Sequence, residues 1–260
     1  MDKQQVLRPL SIKQNATEVS VLVPTNIWVA AEQLREEFPK EDVVEEITDI
    51  ELAAKFLHFA TNRAANASQF LPVARTLFID FGSQYLKNND VHAITRSLSP
   101  ESKKVVIQAY FSALVVLKEH GVLTAEEAAP AKSALFEAAT RGDAKIFAIF
   151  GGQGNIEEYF DELAEIWETY QGIVKPFVHR MAAVLADYAR SSEAKVLHSK
   201  GLDVLRWLDD AEVRPDVQYL ISAPVSLPLI GLTQILQYYV MLRVLDRTPA
   251  EIRDLIEGMI

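Results

Sequence analysis

Hydrophobic periodicity divides the chain into two kinds of territory. Val19, Val21 and Val23 alternate with polar neighbours over 17–24, the two-residue period of a half-buried strand, and Pro24 stops it. Residues 27–38 then predict a helix. Glu41, Asp42, Glu45, Glu46, Asp49 and Glu51 follow as an acidic stretch, expected as a solvated linker and helix start rather than a metal site. Up to about Gly121 the pattern is helix after helix, with apolar residues at three-to-four spacing: Leu52, Phe56, Phe59 and Ala60; Phe70, Val73 and Leu77; Val106, Tyr110, Ala113 and Leu117. Ser99-Pro100-Glu101 and Thr124-Ala125-Glu126 have the grammar of helix entries, a capping residue before a favourable first turn. No fixed-period repeat occurs here.

The pattern changes after Arg141-Gly142-Asp143. Residues 145–150 form a short apolar run of β-forming residues that ends in glycines, which predicts a buried strand entering a tight turn. Beyond Gly154, Asn155 is a good cap, and Tyr159, Phe160, Leu163, Trp167 and Tyr170 mark an amphipathic helix. Further helices are expected over 174–189 and 196–208, an extended segment over 219–222, a long buried helix over 226–245 and a capped helix over 248–256, opened by Thr248-Pro249-Ala250-Glu251. The chain thus reads as a mostly helical unit, 1–142, with a short strand near 18–23, and an α/β unit, 143–260.

At 260 residues the chain is longer than one average domain and shorter than two, and 49% hydrophobic residues supply a core. The net charge of −10 repels a phosphate backbone, so nucleic acid is not an expected partner. With no cysteine, disulfides, thiolate metal sites and thiol nucleophiles drop out together. The first residues have neither an apolar centre nor a small-residue cleavage site, so no secretory signal is expected and the mature chain is expected to begin near Met1. Residues 217–242 carry no charge and are long enough to cross about 30 Å of hydrocarbon. Ser222, Pro224, Ser226, Pro228, Thr233, Gln234 and Gln237 interrupt that run, so no membrane span is expected.

The sharpest local signal is strand, Gly151-Gly152-Gln153-Gly154, helix. Such a turn either cradles a phosphate or forms an oxyanion hole, and charge separates the two uses. Glu157 and Glu158 fill the first helical turn, with Asp161 and Glu162 behind; they suit the helix dipole and repel a pyrophosphate. No Lys-Ser/Thr pair follows the glycines, and the dinucleotide fingerprint does not fit. An oxyanion hole needs only backbone N–H groups held by a rigid turn. A plain glycine-rich turn with no chemical role remains open on the loop alone.

The loop has company. The run from Phe147 to Gly154, with Asn155 and an acidic-aromatic helix behind it, resembles the start of the starter acyltransferase domain in the β chain of fungal type I fatty acid synthase. Residues 222–234, from Ser222-Ala223-Pro224 to Thr233-Gln234, resemble that domain's later signature, and Thr248-Pro249-Ala250-Glu251-Ile252 its next helix entry. Arg8-Pro9-Leu10, Val21-Leu22-Val23-Pro24-Thr25 and Asn89-Asp90-Val91-His92-Ala93 resemble the opening of the same β chain. The resemblance runs nearly end to end, with its motifs in order.

It implies an α/β fold: a mostly helical N-terminal region followed by the first half of an acyltransferase core. The activity implied is transfer of acetyl from coenzyme A to a serine and then to the thiol of an acyl carrier protein. Gln153 takes the place of a glutamine whose backbone N–H stabilises the oxyanion, between Gly152 and Gly154. Gln234 matches a glutamine on the helix lining the acyl pocket; a polar residue merely satisfied on a buried helix is the other reading of it. The family's serine sits in a Gly-His-Ser-x-Gly elbow expected shortly after Asp254-Leu255-Ile256-Glu257-Gly258. No G-x-S-x-G occurs in the 260 residues. His58, His92, His120, His179 and His198 are scattered, with packing or surface roles expected, and no metal site is expected. The resemblance therefore implies a core truncated before the elbow, lacking serine and histidine base and inactive alone. Implied partners are the remainder of the β chain or a complementary fragment, the α subunit and acyl carrier protein in a large cytoplasmic assembly. No cofactor is expected on this chain: acetyl-CoA is substrate, and FMN and NADPH would serve elsewhere in the parent. A non-catalytic assembly module, and a synthase making a short starter acid for a polyketide, are the alternative functions.

Overall fold

The computed structural model describes residues 6–39, 47–87, 90–128, 133–149 and 158–259. It is mostly helical with two small sheets among these residues, and it divides into two compact units, Met1–Ala129 and Pro130–Ile260.

The first unit opens with a hairpin of β1 (Leu7–Gln14) and β2 (Thr17–Pro24), paired antiparallel with Leu10 opposite Val21 and Ile12 opposite Val19. The strand expected over 17–24 is β2; its partner β1 was not anticipated. Asn15 takes the left-handed φ of 54° that closes the connecting turn, a conformation asparagine tolerates better than most residues. Alternation sends Leu10, Ile12, Val19, Val21 and Val23 to the buried face. Helices α1 (Trp28–Glu37), α2 (Asp49–Asn66), α3 (Leu71–Phe81), α4 (Val91–Ile94) and α5 (Pro100–Glu119) follow.

Helix α2 begins at a capping box: the Thr48 N–H donates to a Glu51 carboxylate oxygen across 2.9 Å. Asp49 and Glu51 thus stand at a helix start, as expected, while residues 41–46 of the acidic stretch lie outside the described residues. The other Glu51 oxygen accepts from the Ser102 hydroxyl at 2.6 Å, which ties α5 to the head of α2. Ser99 caps α5 by accepting the Ser102 N–H, as its sequence predicts. Phe56, Leu57, Phe70, Val73, Phe81, Ile107 and Leu117 bury the faces between α2, α3 and α5. At Thr124 the expected entry forms only its first turn within the described residues, with Glu127 N–H donating to Thr124 Oγ1.

The second unit holds α6 (Ala134–Thr140), β3 (Ile146–Ala148), α7 (Tyr159–Arg190), α8 (Val204–Asp209), α9 (Val217–Leu220), α10 (Ala223–Leu245), α11 (Pro249–Leu255) and β4 (Ile256–Met259). Helix α6, grouped by the sequence reading with the N-terminal part, packs on α11 here. The expected helices at 159–170 and 174–189 are one helix, α7, broken by non-helical angles at Tyr170. Pro176 lies beyond the break and cannot donate into the helical ladder.

Four expectations are corrected. Residues 196–208 are not one helix: the chain turns through Gly201, at φ +71°, and only Val204–Asp209 is helical. Residues 219–222 are not extended: Asp216 accepts the Tyr219 N–H and starts α9. The strand at 145–150 is not buried: Phe147 is 55% and Ile149 75% exposed, because β4 is its only strand neighbour among the described residues. The last helix stops at Leu255, and Ile256 joins β4.

Helix α10 starts at Ala223, earlier than expected, with Pro224 in its first turn where no N–H is needed. By length and composition it is long and apolar enough to cross a membrane, but Val225, Leu229, Leu232 and Leu236 form a buried stripe where it packs on α7.

Candidate active site

Strands β3 and β4 run parallel, with Ile146 beside Ile256, Phe147 beside Gly258 and Ala148 beside Met259. A shift of register falls between Ile146 and Phe147. Gly258 lets the strands approach: a Cβ there would stand 3.3 Å from Cδ1 of the Phe147 ring. The carboxyl ends of the two strands therefore lie side by side, the edge at which open α/β sheets carry their ligands. From β3 the chain continues to Gly151-Gly152-Gln153-Gly154. These residues, with Gln153 and its proposed oxyanion N–H, lie outside the described residues, as do Asn155 and Glu157.

The chain is described again from Glu158, and the head of α7 is firmly held. Tyr159 is buried and donates its hydroxyl to the Leu220 carbonyl at the end of α9 across 2.9 Å. Burial pushes the Tyr159 phenol well above its ordinary value, so it stays a neutral donor. Behind it, Phe160 packs 6.3 Å from the Trp207 ring of α8, and the Arg214 guanidinium lies over Phe160 at 4.7 Å while pairing with Asp161 at 2.9 Å. The Trp167 indole N–H donates to Asp209 at 3.2 Å and fixes α7 to α8.

Gln234 lies on α10, half-buried. Its neighbour Thr233 is buried and donates to the Leu229 carbonyl at 2.9 Å, while the same hydroxyl lies 3.5 Å from the Tyr159 carbonyl. The turn of α10 that carries Gln234 is thereby brought to the first turn of α7. Sequence reasoning missed this role for Thr233, and the sign was its place beside a polar residue in an otherwise apolar run. It also missed β4, whose signal is the short apolar–glycine segment after a capped helix.

The histidines do not converge. His92 lies on α4 against Asp90, His120 caps the end of α5, and the His179 ring is 6.1 Å from Trp167. Burial pushes the His58 imidazole down, and the His198 ring packs 5.7 Å from Tyr188 in the turns after α7 rather than on a helix. No group of three or more metal-ligating side chains occurs among the described residues.

Residues 6–117 match the family model for the N-terminal domain in fatty acid synthase subunit beta, and residues 148–254 match that for the starter unit:ACP transacylase in aflatoxin biosynthesis. The second match takes in β3, the glycine loop, α7 and α10. The chain is 34% identical to fatty acid synthase subunit beta of Saccharomyces cerevisiae over 96% of its own length and 13% of the relative's. It is likewise 34% identical to the Schizosaccharomyces pombe subunit over 95% of this chain and 12% of that one. To fatty acid synthase beta subunit aflB of Emericella nidulans it is 34% identical over 66% of this chain.

Fold and matches together define a mostly helical unit followed by the N-terminal part of an acyltransferase-type α/β unit. The chain belongs to the fungal fatty acid synthase β-subunit family and covers its N-terminal part.

Proposed function

We propose that the second unit forms the oxyanion side of an acyl-transfer site that moves acetyl from acetyl-CoA, through a serine, to an acyl carrier protein. The observation that carries this reading is the parallel pairing of β3 with β4. It places the strand leading to the glycine loop beside the strand from which, on the resemblance, the serine elbow departs. A nucleophile and an oxyanion donor must both lie about 3 Å from one carbonyl, and adjacent parallel strands supply that proximity.

In the step proposed, the serine oxygen attacks the thioester carbonyl and its proton passes to a histidine base. The Gln153 N–H donates to the oxygen as it gains charge, with Gly152 and Gly154 leaving the backbone free to approach. The C–S bond breaks, coenzyme A leaves as a thiol, and the acyl ester is then attacked by the carrier's thiol. An oxyanion donor contributes on the order of a hundredfold to a thousandfold in rate. The Gln234 amide orients groups beside the acyl pocket.

On this reading the working protein is a cytoplasmic multienzyme assembly that includes an α subunit, with FMN and NADPH serving other sites of the parent. The serine and base are supplied by residues other than these, and this chain alone loads no acyl group. Incubating the purified chain with labelled acetyl-CoA and weighing it intact tests this. No adduct on the chain alone, with label appearing on a serine-bearing segment added in trans, is the expected result. Stoichiometric label on this chain alone would overturn it. A second reading, loading of a short starter acid for a polyketide, draws on the starter-unit model and on the likeness to aflB.

A further inference from the structure

Helix α10 is apolar on more than its buried side. Its stripe of Val225, Leu229, Leu232 and Leu236 is buried, yet on the opposite face Leu227 is 48% and Ile235 50% exposed. Gly231 lies between them, one turn from each, and Gln234 and Tyr238 belong to the same side of the helix by its 3.6-residue period. No charged residue occurs in α10 before Arg243. A face of leucine, glycine, glutamine, isoleucine and tyrosine suits an uncharged chain better than an ionic or strongly hydrated partner.

Gly231 makes a notch in that face. A Cβ built on it meets no atom within 4 Å, so backbone packing does not demand the missing side chain. Its backbone does not demand it either: positive φ occurs at Gly121, Gly142 and Gly201, and Gly231 has ordinary helical angles. Glycine in a helix interior is unfavourable by about 1 kcal/mol relative to alanine. Here that cost has no local structural return. The notch lies one turn before Thr233, whose hydroxyl reaches the Tyr159 carbonyl at the head of α7, and so stands on the segment that meets the end of the glycine loop.

We propose that Gly231 sets the length of the acyl group accepted, the hydrocarbon beyond the thioester carbonyl lying along Leu227, Gly231 and Ile235. This rests on the acyl-transfer reading above. The substrate class it names is linear acyl thioesters longer than acetyl, with acetyl too short to reach the notch. A side chain at 231 shortens the slot and discriminates by length.

The test uses the complete synthase that contains this chain, loaded with acetyl-, butyryl- or hexanoyl-CoA and compared by kcat/KM. Gly231→Val is expected to leave acetyl loading within about threefold and to lower hexanoyl loading by roughly tenfold or more, the scale of a methylene clash in a hydrophobic pocket. Leu227→Ala, which adds room, is expected to raise the hexanoyl-to-acetyl ratio, and it decides the matter if Gly231→Val does not fold. An unchanged ratio in folded variants, or a parent that loads acetyl but neither longer group, would overturn the assignment of Gly231. A parent that loads none of the three would instead overturn the acyl-transfer reading.

Discussion

The hydroxyl of Tyr159 donates to the Leu220 carbonyl across 2.9 Å, joining the first turn of α7 to the end of α9 inside the second unit. Phe in place of Tyr keeps the ring and leaves that carbonyl without this donor. Tyr159→Phe is expected to cost about 1–3 kcal/mol, the penalty of an unmet buried polar group, read as a lower urea midpoint with an unchanged slope. The same tyrosine gives an alkaline signature. Its folded-state value is raised by burial, so the unfolded chain releases the proton first as pH climbs past about 10. Stability from this group is complete below that pH and declines above it. Tyr159→Phe removes that part of the decline.

The first unit has an acid counterpart. Burial opposes the charge on Glu51, but hydrogen bonds from Ser102 and Thr48 outweigh it and hold the carboxyl below its ordinary value. A depressed value means stability that is present above the unfolded carboxyl range and is lost as pH falls through the folded value. Glu51→Gln is expected to flatten the acid limb of a pH–stability curve and to lower the neutral plateau by about 1 kcal/mol, since both the cap and the tie to α5 weaken. An acid limb as steep as the parent's would show that other carboxylates carry it.

Phe56 is almost fully buried in α2, and the edge of Phe38 meets its ring at 5.2 Å. Phe56→Ala leaves a cavity that close-packed neighbours refill only in part, for an expected cost of about 3–5 kcal/mol. Thermal melting of this variant beside Tyr159→Phe also shows whether the units unfold together: two transitions, with the earlier one assigned by which variant shifts it, are the mark of independent folding.

The parts legible in the sequence are those decided by neighbours along the chain. Thr48 with Glu51, Ser99 before Pro100, and Thr248 with Glu251 all cap helices, because a cap is satisfied within one turn and needs nothing remote. Strand β2 was readable for a similar reason: alternation records which face is buried. Strand β1 was less so, since Leu10 and Ile12 alternate only briefly and Pro9 interrupts the pattern. Tyr219 misled because its β propensity was overridden at a distance: Asp216 takes its N–H, while its hydroxyl donates to the Gly201 carbonyl at 2.8 Å. At the site, the motif order disclosed Gly152, Gln153, Gly154 and Gln234 through resemblance. Periodicity alone left the loop open between a plain turn and an oxyanion hole, because backbone donors have no side-chain signature. The pairing of β3 with β4 joins segments more than a hundred residues apart, and no local pattern encodes it.

Thr233 links stability to chemistry. Its hydroxyl serves the Leu229 carbonyl within α10 and stands 3.5 Å from the Tyr159 carbonyl, a long contact that orients more than it stabilises. Thr233→Val keeps the shape and loses both, while the Leu229 carbonyl retains its place in the helical ladder. A stability loss of about 1 kcal/mol or less is expected. If the turn bearing Gln234 is held in register with the head of α7 through this hydroxyl, acetyl loading in the complete synthase falls several-fold with KM little changed, since displacing a positioning element taxes the reacting geometry more than the binding of a large thioester. Thr233→Ser, which restores the hydroxyl, recovers the rate. A Thr233→Val protein that loads acetyl at the parent rate would reduce Thr233 to a packing residue and detach Gln234 from the glycine loop's end of α7.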